Sequence, residues 1–201
     1  MEAVTAPFTH HDLERLTQVV ADAWRSGADR DWSARAGTLD WSCARTADHA
    51  VDTVLAPAFF LASRRQDGYP EWAGPFSVGR NASPGQLVEA LETATRILVA
   101  VIVAAEPGAR AVIWRRPPVE VRGPEDFAAR GALELVLHGH DVCRGLGVAY
   151  DPPAKVCERL RDHTRDWPHW GSPGWRALPV TDDPWADLLA GSGRSEAAGG
   201  R

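Results

Sequence analysis

The chain has 201 residues, 44% of them hydrophobic and 24% charged, with a formal net charge of −5. That length holds one domain with a substantial core and a tail, in the composition of an ordinary soluble globular protein. The acidic balance, with no long Lys/Arg run, argues against nucleic acid or an anionic membrane as the main partner.

The first residues lack a basic stretch followed by an apolar core, so no secretory signal is read. The most apolar run, Ile97 to Ala105, is too short to span a bilayer. Cys43, Cys143 and Cys157 show no paired metal-finger spacing and fit a reducing cytoplasm better than a disulfide framework. The expected location is therefore cytoplasmic.

Thr9 is a good N-cap with Asp12 three residues on, and Leu13, Leu16, Val19, Val20 and Trp24 recur at helical spacing. A first helix is predicted to about Ser26, followed by a polar loop. A second helix starts at Ser42 or Cys43 and runs to about Arg65. It is apolar around most of its circumference and so central, with a kink expected at Pro57.

Gly68 to Asn81 reads as a loop, and Ser83-Pro84 opens a third helix that Pro107-Gly108 stops. Ala111 to Trp114 and Val119 to Val121 read as an irregular crossing segment containing, at most, a short strand. Pro124 opens a fourth helix that Gly147 ends. A shorter helix follows from about Pro153 to Asp166.

Beyond it comes a wrapping segment pinned by Trp167, Trp170, Trp175 and Trp185, with a last helical turn between Asp183 and Ala190. Residues 1–190 are expected to form a single domain and residues 191–201 a disordered tail. Four long helices with one long crossover, between the third and fourth, predict an all-α four-helix bundle with an irregular C-terminal segment. Nine tryptophans, several in irregular segments, fit a homodimer interface as well as core packing.

The chemistry concentrates in Arg130 to Gly147. At about 100° per residue, Arg130, Glu134, His138 and Asp141 fall in one stripe of the fourth helix. A carboxylate and an imidazole one turn apart can ligate one divalent cation. Equally, Glu134 and His138 could be a solvated face or a hydrogen-bonded pair.

Asp48, His49 and Asp52 form a second polar island on the second helix. There a lone histidine reads more simply as hydrogen-bonded core. A third ligand from another helix would complete a two-histidine, one-carboxylate site with open positions, the kind used for chemistry.

Asp141 is one turn from His138 and reads as a group orienting a ligand, or as a surface carboxylate; Asp52 invites the same reading. Arg130 could hold an anionic substrate group, with Arg45 and the Arg115-Arg116 pair as competitors. His140 and Cys143 should face elsewhere.

Leu39 to Asp52 (L-D-W-S-C-A-R-T-A-D-H-A-V-D) resembles the helix-two signature of the mycothiol-dependent maleylpyruvate isomerase N-terminal family. Glu134 to Gly147 (E-L-V-L-H-G-H-D-V-C-R-G-L-G) resembles its helix-four signature, and Asp183 to Arg194 its C-terminal segment. The family belongs to the DinB-like superfamily of metal-binding four-helix bundles. Where relatives often carry an aromatic after the glycine of the helix-four motif, this chain has His140.

The resemblance implies His49, Glu134 and His138 as ligands of a divalent metal, usually zinc. It also implies mycothiol as the thiol cosubstrate. The leading expectation is thus a metal-dependent thiol enzyme, an S-transferase or cis–trans isomerase acting on a small electrophile. The alternatives are a metal-dependent hydrolase using activated water, and a non-enzymatic bundle that keeps the metal for structure.

Overall fold

The computed structural model describes residues 6–63, 65, 68–70, 74–79, 81–113 and 118–194. The chain order is α1 (His10–Ser26), α2 (Cys43–Ser63), α3 (Pro84–Val103), β1 (Arg110–Val112), β2 (Glu120–Arg122), α4 (Pro124–Leu146), α5 (Ala154–Thr164) and α6 (Pro184–Gly191). The fold is all-α, built on four long helices, as the helical periodicity predicts. The chain divides into two compact units, one spanning Thr9–Asp151 and the other combining Met1–Phe8 with Pro152–Arg201.

In the larger unit, α1 and α2 each pack against both α3 and α4, so the helices run α1, α3, α2, α4 around the bundle. The connection from α3 to α4 crosses the diagonal, as expected of the long crossover, and the α1–α2 connection does the same. The ends of the helices follow local chemistry. The Thr9 N–H donates to Asp12 at 3.1 Å, and the Ser83 hydroxyl accepts from the Gln86 N–H at the start of α3. Gly147 ends α4 in a left-handed conformation, φ 66°, which costs a glycine nothing. α2 passes through Pro57 and ends at Ser63.

The inward faces carry Leu13, Leu16 and Trp24 of α1, Val51 and Val54 of α2, Leu91 and Leu98 of α3, and Leu135, Val136 and Val142 of α4, all fully buried. Two glycines let other elements press onto α4. A Cβ on Gly139 would lie 2.8 Å from Val20 Cγ2 of α1, and one on Gly145 would collide with the Arg35 carbonyl oxygen and Cys43 Sγ. The α1–α2 connection is thereby seated on α4. It is closed on itself by Ala36 N–H to Trp41 O at 2.9 Å and Cys43 N–H to Ala34 O at 2.8 Å.

The crossover between α3 and α4 is more regular than the sequence reading allows. β1 and β2 pair antiparallel, with Arg110 opposite Arg122 and Val112 opposite Glu120. Ala111 and Val121 face each other and are buried, which supplies the apolar anchor that a short hairpin needs. The Arg115-Arg116 pair, most of the expected tail and part of the Gly68–Asn81 loop lie outside the described residues.

In the smaller unit, α5 packs on α6. The buried Arg161 guanidinium donates to Asp187 and to the Thr181 carbonyl, both at 2.8 Å. Asp187 also accepts from the Thr181 N–H and hydroxyl. Trp170 meets Trp175 edge to face at 5.1 Å and donates to the Thr164 carbonyl. Gly191 lies flat against the Trp170 ring, where a Cβ would come within 2.7 Å. The expected pinning by aromatics thus has a concrete form in Trp170, Trp175 and the His169 ring between them. No helix is long and apolar enough to cross a membrane among the described residues.

Candidate metal centre

Glu134 and His138 stand one turn apart on α4, and α2 lies against that helix, bringing His49 to the same place. One ligand atom from each of His49, Glu134 and His138 lies within 4.8 Å of the other two. Nε2 of His138 is 3.3 Å from a Glu134 carboxylate oxygen. The His49 and His138 rings meet edge to face, 5.1 Å between centroids.

The other side of His138 is held as well. Its Nδ1 lies 3.2 Å from the Asp141 carboxylate, which is 2% exposed. With a cation held on the Glu134 side, Nδ1 would donate to the Asp141 carboxylate and Nε2 would offer its lone pair to the metal. The α1–α2 connection runs close to Asp141 at Gly37 (φ 52°), where an added Cβ would lie 3.5 Å from the Asp141 Cα and Oδ1. Burial, and after it the neighbouring His138, lowers the pKa of His49 and favours the neutral ring that can ligate.

These residues fit a divalent cation. Two imidazole nitrogens and a carboxylate oxygen at about 2.0–2.2 Å from one ion would be about 3–3.5 Å apart, so the three side chains need only close slightly. Glu134 is 37% exposed while His138 is 10% exposed, so the group opens to solvent on the glutamate side. A site closed on the protein side and open on the other leaves room for an exogenous ligand.

Asp52 and Asp48 have a different neighbourhood. Asp52 accepts from the Phe76 N–H at 2.7 Å. Asp48 accepts from the Ser77 hydroxyl at 2.8 Å and the Val78 N–H at 2.6 Å. The two carboxylates that bracket His49 therefore tie residues 76–78 to α2. Burial raises the Asp52 carboxyl above the usual carboxylate range, and the Phe76 bond and His49 oppose this.

Arg130 lies one turn from Glu134, with Nε 3.7 Å from the Asp126 carboxylate and its side chain 16% exposed. Burial lowers its pKa, against Asp126 and Glu134. The Cys143 thiol is buried, which pushes it up to about 12, far from a reactive thiolate.

Trp41 belongs to the Leu39–Asp52 signature, which by itself gives it no role at the site. Its ring lies edge to face on His49, 5.1 Å between centroids, and the Arg45 guanidinium carbon sits 4.2 Å above it. Arg45 and His49, four apart, share a face of α2, and Trp41 lies in the connection just before that helix begins.

Neither a protein-family model nor a curated protein matches the chain. Among solved structures, the chain is similar in fold to a mycothiol-dependent maleylpyruvate isomerase, determined as a histidine-to-alanine mutant. The TM-score is 0.56 at 11% identity, over 83% of this chain and 72% of that one. At that identity the likeness establishes the fold.

Proposed function

We propose that the protein is a cytoplasmic, metal-dependent thiol enzyme that uses a mycothiol-type thiol to act on a small electrophilic substrate. The observation that carries this reading is the convergence of His49, Glu134 and His138, with the far nitrogen of His138 held by Asp141. The sequence resemblance of Leu39–Asp52 and Glu134–Gly147 supports it. So does the fold likeness to an enzyme whose own description names mycothiol.

His49, Glu134 and His138 would hold the metal, zinc by donor type, and Asp141 would fix the His138 tautomer. A divalent cation held there would supply Lewis acidity that favours the thiolate form of an exogenous thiol near neutral pH. The chain's residues contribute orientation and exclusion of water: the α1–α2 connection covers the Asp141 side, and the pinned 76–78 segment flanks α2. The reaction class is addition of the thiol to an electrophilic carbon. The product is either kept as an S-conjugate or released as a cis–trans isomer after bond rotation and elimination. Such chemistry requires no side-chain nucleophile, in keeping with the buried, high-pKa Cys143.

Elemental analysis of tag-free protein tests the reading. About one zinc per chain is expected, with loss in His49→Ala, Glu134→Ala and His138→Ala. Turnover of an electrophile should then require added thiol. Folded parent protein that retains no zinc after reloading would refute the proposal, and product formed from water alone would favour hydrolysis.

A further inference from the structure

We propose that Arg45, laid flat on the Trp41 indole, recognises a carboxylate on the small molecule that the His49, Glu134 and His138 site accepts. This assignment rests on the proposed metal-centre reading and adds to it a substrate charge and the residue that selects for it.

Arg45 and His49 are four residues apart on α2, about 6 Å along the helix axis, so they share one face. Trp41 touches both, edge to face with the His49 ring and beneath the guanidinium. Stacking fixes the plane of the guanidinium but uses none of its five N–H donors. Arg45 is exposed, and its backbone N–H is taken by the Ser42 hydroxyl at 3.2 Å.

Among the described residues no carboxylate pairs with this guanidinium, whereas several other surface arginines are matched. Arg35 meets Asp40 at 2.6 Å, Arg25 meets Asp22 at 3.0 Å and Arg122 meets Glu120 at 2.9 Å. Arg130, the other cation near the centre, already lies beside Asp126. A held but unneutralised fork one turn from a metal ligand suits a planar, two-oxygen anion. An open groove of about 410 Å³ lined by Ser33, Arg35, Asp40, Trp41 and Ser42 adjoins the Trp41 position, without reaching Arg45 or His49.

Two thiols of similar size separate the possibilities: 3-mercaptopropionate, which carries a carboxylate, and neutral 3-mercaptopropanol. Zinc content is measured first, then the affinity of each thiol for the zinc-loaded full chain by calorimetry. The parent should bind the carboxylate thiol about tenfold more tightly, the strength of one charge-assisted contact. Arg45→Gln should abolish that preference with zinc content unchanged, and Arg45→Lys should restore part of it.

A preference that persists in zinc-replete Arg45→Gln overturns the Arg45 assignment alone, as does equal binding of both thiols by the parent. Parent protein that takes up no zinc refutes the metal-centre reading, and this assignment with it, before any thiol is added.

Discussion

Nδ1 of His138 sits 3.2 Å from the Asp141 carboxylate, and that contact determines which imidazole nitrogen faces Glu134. The pair is three residues apart on one helix, and its carboxylate is only 2% exposed, with the α1–α2 connection running close to it at Gly37.

Asp141→Asn should therefore leave the bundle folded and weaken zinc affinity by about 10–100-fold, the range for groups that orient a ligating histidine. A competition titration against a zinc chelator measures it. Unchanged affinity would mean that Asp141 does not orient His138.

Gly145→Ala places a methyl group against the Arg35 carbonyl and Cys43 Sγ, where backbone must move to admit it. The loss of stability should be about 1–3 kcal/mol, as for other overpacked sites. Gly85→Ala, in the first turn of α3 with open space around it, should be neutral or stabilising by up to about 1 kcal/mol. Denaturant unfolding of the two variants side by side checks both signs.

Asp187 governs the acid limit of the smaller unit. Burial opposes its ionisation, but the Thr181 N–H, Arg161 and the Thr181 hydroxyl outweigh it, and the net shift is downward. A depressed folded pKa contributes stability that is whole above the unfolded value, about 3.9, and is lost as pH falls through the folded one. The parent should lose stability more steeply below about pH 4 than Asp187→Asn does. Arg161→Met, which strands a buried carboxylate, should cost about 3 kcal/mol at neutral pH.

Asp48→Ala releases the Ser77 and Val78 contacts without touching a proposed ligand. Hydrogen exchange at the Val78 amide should quicken by about tenfold, corresponding to one lost charge-assisted bond. Zinc content should stay at the parent value. Loss of metal in this variant would place the 76–78 segment among the supports of the centre.

Much of this molecule is legible in one dimension. Thr9, Ser83-Pro84, Pro124 and Gly147 mark helix ends found at His10, Pro84, Pro124 and Leu146, because capping and chain reversal depend on residues within a turn. The stripe Glu134, His138, Asp141 follows from helical pitch alone. The hairpin between α3 and α4 was harder to read. Its strands are three residues long, and only burial of the Ala111–Val121 pair makes them worthwhile.

Spacing along α4 thus determined that a carboxylate and two possible partners share a face, and local signals determined where the helices begin and end. The resemblance of Leu39–Asp52 already implied His49 as their partner, and the packing of α2 on α4 brings it there. Tertiary structure alone decided that Asp48 and Asp52 turn to residues 76–78, and that Trp41 carries Arg45 beside His49. The reason is geometric: helical periodicity fixes neighbours within one element. Which elements touch depends on how apolar faces and small residues such as Gly139 and Gly145 let the helices and their connections pack.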